Sequence, residues 1–457
     1  MTMTNAPEKR RWITDWNPDD ETFWRAGGAR VARRNLIWSI LAEHLGFSVW
    51  LLWSVVVVSL PAAGFDFGVD QLFWLVAVPN LFGAFMRIPY TAAVARFGGR
   101  NWTTVSAALL LVPLGLLTYC VTTPGTPYEL FLLAAITAGF GGGNFASSMA
   151  NISYFYPDRY KGTALGLNAA GGNIGVAVVQ FLVPLVIGVG VIGTAQSDGL
   201  WLHNAPLLWI VPVVVAAVCA WRYMDNLAVS RTPLRVQLRA LRSKHCWIMS
   251  GLYIGTFGSF IGYSAAFPLV IKAEFPDMSA LWLAALGPLV GSVARPFGGW
   301  LSDRSTGARV TNWSFAGMGL GAISAVAALS VGSFGWFFAS FLALFVLSGV
   351  GNGSTFRMIP AIYRAEAATS DGPEATAALD LARKRSAAVI GFSSAVGALG
   401  GFAIPRGFGA SLAATGSVDT ALLVFVVVYA GCGVANWWFY QRTVLTTRLP
   451  SLAHARV

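Results

Sequence analysis

Twelve stretches of about 20 mostly apolar residues, separated by short polar or basic segments, run through this chain, and they restrict it to folds whose outer surface meets lipid. They lie at 36–60, 72–95, 103–122, 130–156, 163–191 and 206–222, then at 247–271, 281–301, 311–331, 335–363, 387–413 and 419–440. Hydrocarbon offers a backbone no hydrogen-bond partners, so each stretch is expected as a helix that satisfies its own. The composition agrees: 56% of the 457 residues are hydrophobic and 11% charged, against about a quarter charged in soluble domains. The expected fold is an all-α membrane protein of twelve transmembrane helices. Its parts are a tail (1–35), a six-helix bundle (36–222), a linker (223–246), a second six-helix bundle (247–440) and a closing tail (441–457).

The net charge of +11 does not indicate nucleic acid, because the basic residues fall in short runs between apolar segments, where they set topology. With the amino terminus in the cytoplasm, about 26 of the 31 lysines and arginines lie on the cytoplasmic side. Lys272 and Arg406 fall outside, and Arg87, Arg295 and Arg357 fall within apolar spans. Both tails are therefore expected in the cytoplasm, with the chain multi-pass in the inner (plasma) membrane. Residues 1–34 have no apolar core and are read as a retained tail despite the pair Arg10 and Arg11. Cys120, Cys219, Cys246 and Cys432 show no paired spacing, so neither disulfides nor a metal site is expected. His44, His203, His245 and His454 are scattered, which argues against a cofactor-binding redox subunit. No cofactor is expected.

The two halves repeat. An offset of 208 carries Arg87 to Arg295, Arg96 to Arg304, and Gly141, Gly143 and Asn144 to Gly349, Gly351 and Asn352. In span five an offset of 225 carries Gly166, Gly172 and Gly175 to Gly391, Gly397 and Gly400, the extra residues being assigned to a loop from Ala365 to Arg385. A parallel repeat of six-helix units implies alternating access around a site between the halves. An intramembrane arginine costs at least about 2.5 to 3.5 kcal/mol on insertion scales, and spans two and eight contain no carboxylate to neutralise theirs. A substrate role for both is favoured over a structural ion pair.

Gly298-Gly299-Trp300-Leu301-Ser302-Asp303-Arg304 resembles the short loop motif of the major facilitator superfamily; its first-half counterpart, Arg96-Phe97-Gly98-Gly99-Arg100, lacks the Asp. Within that superfamily the chain resembles the nitrate/nitrite porter family, on the strings Gly141-Gly142-Gly143-Asn144-Phe145-Ala146-Ser147-Ser148-Met149-Ala150-Asn151-Ile152 and Gly351-Asn352-Gly353-Ser354-Thr355-Phe356. The resemblance implies a nitrate/nitrite transporter in which Arg87 and Arg295 are the paired substrate arginines. It also implies that Phe145, Asn173, Tyr253, Phe257 and Ser394 line the pocket. Arg357 has no role assigned by it. The carrier is expected to act as a monomer in the bilayer.

The chemistry fits. Nitrate is a flat monoanion, and a guanidinium meets it with two parallel hydrogen bonds that lysine cannot reproduce. Two arginines about 8 Å apart repel by roughly 2 kcal/mol at an effective dielectric of 20, while an anion about 4 Å from each gains roughly 4 kcal/mol per contact. Closing on an empty site is then unfavourable and closing on an anion favourable, which predicts exchange; the expected mode is nitrate/nitrite antiport, nitrate in and nitrite out. Phe145 and Phe257 are expected to sandwich the anion, with Asn173 and Tyr253 as neutral donors. The glycine clusters at 139–143, 171–175, 349–353 and 397–401 lie inside apolar helices and read as packing surfaces rather than nucleotide loops. Nitrate/proton symport is the rival, motivated by Glu43 and His44 in span one, of which only one is expected to face the central path. Either residue can equally be structural. An anion sensor without transport is the remaining alternative, but the tails and linker are short for a signalling domain.

Overall fold

Why span eight is the weakest apolar segment becomes plain in the computed structural model, which describes residues 12–230, 241–278, 280–367, 374–443, 451–453 and 457. Eleven of its helices are long and apolar enough to cross a membrane on hydropathy, among the described residues. The twelfth, Leu286–Arg304, falls short because it carries Arg295 amid glycines, prolines and serines. All twelve expected spans are present. The first six are Ala29–Leu51 with Trp53–Ser59, Val69–Phe97, Gly99–Leu109 with Leu111–Thr122, Tyr128–Ala138 with Phe140–Phe155, Asp158–Val186, and Asn204–Tyr223. The second six are Lys244–Tyr253 with Ser259–Glu274, Leu286–Arg304, Gly307–Ser330, Phe334–Ala367, Glu374–Gly397 with Gly400–Thr415, and Asp419–Tyr440.

One expectation changes. The segment assigned to a loop from Ala365 to Arg385 is largely helical: span ten runs on to Ala367 and span eleven begins at Glu374, residues 368–373 lying outside the described set. Its polar composition reflects a helix leaving the apolar layer rather than a break in it. The first tail packs against the bundle from Trp12 onward. Trp12–Ile13 pairs in parallel with Asn226–Leu227, Trp16 Nε1 donates to the Tyr154 carbonyl at 3.0 Å, and Asp20 caps a short helix by accepting from the Thr22 amide at 2.8 Å. Trp24, Ile152, Phe155 and Leu227 join in a small apolar cluster against spans four and five. Arg10, Arg11 and His454 lie outside the described residues, as does the middle of the linker, 231–240.

Glycines set how closely the helices approach, and they do so equivalently in both halves. A Cβ at Gly142 of span four would stand 2.9 Å from the Gly83 Cα of span two. In the second half a Cβ at Gly349 would stand 2.2 Å from the Gly291 carbonyl oxygen, and one at Gly353 only 2.1 Å from that of Arg295. Both are backbone contacts that cannot swing aside. Gly353→Ala therefore forces spans eight and ten apart at the arginine, an overpacking cost of about 1–3 kcal/mol. The expected result is a lower unfolding midpoint in detergent together with weaker anion binding; an unchanged midpoint would show that the two spans absorb the methyl group.

With twelve spans both tails lie on one face. On the opposite, far face the halves are joined: Asp70 of span two pairs with Arg406 of span eleven at 2.8 Å, and Arg406 lies 4.3 Å over the Trp74 ring. Deeper on that side Gln180 Nε2 donates to the Ser264 carbonyl at 2.6 Å. On the tail-bearing face Arg34–Asp225, Arg357–Asp303 and His245–Glu366 each lie within one half. Arg357 is thereby corrected. It is not a third isolated intramembrane charge, because at 41% side-chain exposure it reaches the Asp303 carboxylate at 2.5 Å, just beyond the apolar part of span eight.

Candidate functional site

Arg87 projects from the middle of span two and Arg295 from the middle of span eight, and both are buried, at 1% and 7% exposure. Arg87 donates from Nε to the Gly142 carbonyl at 3.1 Å and from Nη1 to the Ser394 carbonyl of the other half at 2.7 Å. Its Nη2, the Nη1 of Arg295 and the hydroxyl of Tyr253 are all buried without a hydrogen-bond partner. Such groups are costly in a dry interior unless something accepts from them. Three donors converging from the two halves offer hydrogen bonds to a ligand rich in acceptors, and two of them carry positive charge.

The walls are aromatic. The guanidinium carbon of Arg87 lies 4.8 Å from the Phe145 ring centre, 5.0 Å from Phe257 and 5.5 Å from Trp50. That of Arg295 lies 5.8 Å from the same Phe145 ring and 5.2 Å from Phe356. One phenyl group thus stands beside both cations, which brings them to one place between the halves. Tyr253 stacks on Phe257 at 5.2 Å and leans on Phe356 at 5.4 Å. A wide π turn over Ile254–Gly258, which follows Tyr253 and contains Phe257, interrupts span seven where the two rings stack on one side.

The residues expected from the sequence are not all arranged as expected. Phe145 and Phe257 are stacked on each other with centres 6.0 Å apart and planes 23° from parallel. A flat ion between two ring faces needs about 7 Å, two contacts of roughly 3.5 Å, so here they flank Arg87 instead of enclosing a ligand. Ser394 meets Arg87 through its carbonyl, while its hydroxyl donates to Gly391 of its own helix at 2.7 Å. Asn173 is buried with its Oδ1 unpartnered and bonds neither arginine. Of the signature residues, Gly143 lies against the Tyr90 ring and Gly351 against Thr256, both as packing contacts. Asn144 and Asn352 are buried with Oδ1 unpartnered. Trp50 and Phe356 were missed. Phe356 ends a signature string and carried a signal; Trp50, one of 18 tryptophans, carried none.

Glu43 and His44 separate as the helical phase requires. His44 Nδ1 lies 3.0 Å from the Gly171 carbonyl of span five. Glu43 is fully buried, with Oε2 accepting from Ser148 of span four and Asn168 of span five and Oε1 unpartnered. It bonds neither arginine, yet its charge acts on both.

The Major Facilitator Superfamily profile matches residues 45–379. The chain is 43% identical to the nitrate/nitrite transporter NarU of Salmonella typhimurium, over 97% of this chain and 99% of that protein. It is 38% identical to the probable nitrate/nitrite antiporter NarK2 of Thermus thermophilus, over 95% and 97%. Among solved structures, the D-xylose–proton symporter superposes with a TM-score of 0.67 at 15% identity, over 89% of this chain and 97% of that one, a likeness of fold.

Proposed function

The chain belongs to the nitrate/nitrite transporter family of the major facilitator superfamily, and on that premise we propose that it carries nitrate and nitrite across the inner membrane by alternating access, binding them between Arg87 and Arg295. The observation that carries this reading is the pair of buried guanidinium groups with unpartnered nitrogens, one from each half, beside a single phenyl ring. Each brings an unpartnered N–H group to the anion's oxygens from a planar cation suited to a flat anion, and the Tyr253 hydroxyl is a third donor. Phe145, Phe257, Trp50 and Phe356 keep the chamber dry and strengthen the electrostatics within it. The tail-bearing face is cytoplasmic, and the protein works as a monomer.

The mode is exchange, nitrate inward against nitrite outward, because either anion relieves the repulsion between the arginines and so carries the site through its closed state in either direction. Purified protein in liposomes tests this. Vesicles loaded with nitrite are expected to take up nitrate several-fold faster than vesicles loaded with an equal concentration of sulfate. Equal rates in the two preparations remove exchange as the mode, and no nitrate uptake in either removes the anion assignment.

A further inference from the structure

On the far side of the site, one hydrogen bond joins the halves through an acceptor that span seven cannot satisfy in the ordinary helical way. Pro268 lies inside Ser259–Glu274, the second part of span seven. In a regular helix the N–H of residue 268 would donate to the carbonyl four residues earlier, and proline has no N–H, so the Ser264 carbonyl loses that partner. The Ser264 hydroxyl is engaged elsewhere, donating to the Phe260 carbonyl at 2.7 Å. The carbonyl instead receives Gln180 Nε2 of span five, from the other half, at 2.6 Å. Both residues are fully buried, where an unmet carbonyl is costly.

Gln180 is aimed by its own half. The Ser54 hydroxyl of span one donates to the Leu51 carbonyl at 2.6 Å, which leaves its oxygen to accept, and it accepts from Gln180 Nε2 at 3.0 Å. The atom facing Ser264 must be the amide nitrogen, since a backbone carbonyl only accepts. One amide thus spends one N–H within the first half and the other across the halves. Ser54 lies one turn beyond Trp50, Gln180 two turns beyond Asn173 and Ser264 two turns beyond Phe257, all toward the far face. The bond therefore crosses between the halves in the layer that separates the arginines from the far surface.

We propose that Gln180 is the latch of the far gate: it holds spans five and seven together while the far face is closed, by supplying the hydrogen bond that Pro268 withholds from Ser264, and it releases them when that face opens. The latch depends on alternating access and not on which anion is carried. Opening draws span five away from span seven, and the carbonyl then meets the water that enters with the open face, so the hold is firm but reversible. A proline-freed carbonyl suits this task better than an ordinary one. An ordinary helical carbonyl already holds an N–H, and a second donor adds little to it, whereas this one gains its partner only when the halves meet. The Asp70–Arg406 pair farther out is partly exposed and screened by salt, so the buried amide is the stronger tie.

Labelling of the full-length protein decides the matter through the dependence of residue 180 on residue 268. Every protein compared carries Phe73→Cys, at a position packed between the halves against Gly409. A membrane-impermeant thiol reagent is applied to the far face in right-side-out vesicles, with no nitrate or nitrite present. Gln180→Leu removes the donor at similar size and is expected to raise the labelling rate roughly fivefold or more. Pro268→Ala gives Ser264 a partner in its own helix, so it too is expected to raise the rate, and Gln180→Leu added to it is expected to change the rate further by less than about twofold. A packing role for Gln180 would be indifferent to residue 268 and would give the same factor in both backgrounds. An unchanged rate in Gln180→Leu, or an equal factor in the two backgrounds, overturns the proposal. If Gln180→Leu does not fold, an unchanged rate in Pro268→Ala alone overturns it.

Discussion

Replacing either Arg87 or Arg295 with lysine is expected to abolish most nitrate binding and transport, although the charge is kept and the protein still inserts. Lysine is a point charge at the end of a flexible stem; it cannot present two parallel donors to a flat anion, and it is more strongly hydrated than a guanidinium. A hydrogen bond to a charged group is worth about 1.5–3 kcal/mol, so losing one limb of a fork predicts roughly a tenfold to hundredfold loss of affinity per site. The two substitutions are not expected to be equal. Arg87 also bonds the Gly142 and Ser394 carbonyls and stands beside three aromatic rings, so Arg87→Lys disturbs the junction between the halves as well. Arg295 has its aromatic neighbours and an unpartnered Nη1, and Arg295→Lys reports on the anion contact more cleanly. Isothermal titration with nitrate on monodisperse protein measures both. Unaltered affinity in the Arg295 variant would mean that the anion does not sit between the arginines.

How much of this was legible in the sequence depended on what each residue would cost if it had no purpose. A charge in an apolar span is expensive, so Arg87 and Arg295 stood out, and their common offset tied them to one another. Arg357 shows the limit of the same reasoning. Its neighbours in sequence are apolar, but a long side chain near the end of a span reaches a carboxylate on another helix, and no window average contains that reach. Backbone groups carry no sequence signal at all, which is why the acceptors of Arg87 were out of sight: Gly142 and Ser394 contribute carbonyls that any residue has. Ring-on-ring contacts were hidden for a different reason. Aromatic residues make up 13% of the chain, so Trp50 is indistinguishable in sequence from tryptophans that only pack. The adjacent pair Glu43 and His44 needed the helical phase of span one before their roles could separate.

Gly401→Val is expected to arrest the carrier with its far face open. Gly401 of span eleven stands where that helix crosses span two of the other half, and a Cβ there would lie 3.0 Å from the Asn80 Cβ and 2.9 Å from its Oδ1. Asn80 is buried at this crossing and donates to the Val76 carbonyl at 3.0 Å, so its side chain is not free to leave. The Asp70–Arg406 pair lies toward the surface on the same two helices, and Phe73 packs on Gly409 between them. A side chain at 401 also meets Ile261 of its own half, whose Cγ2 would lie 2.7 Å from the Cβ, and that contact is present in both states; the contacts with Asn80 are relieved when the far face opens, because opening separates spans two and eleven. Overpacking of this kind costs about 1–3 kcal/mol, and the part that falls on the closed state alone shifts the populations, by roughly fivefold or more for each 1 kcal/mol. Nitrate binding from the far side is therefore expected to persist while exchange falls by the same factor. A cysteine placed at Phe73 and probed with a membrane-impermeant thiol reagent should react faster in the Gly401→Val background than in its absence. Exchange at the unaltered rate, with no gain in labelling, would show that transport does not require spans two and eleven to meet at this point.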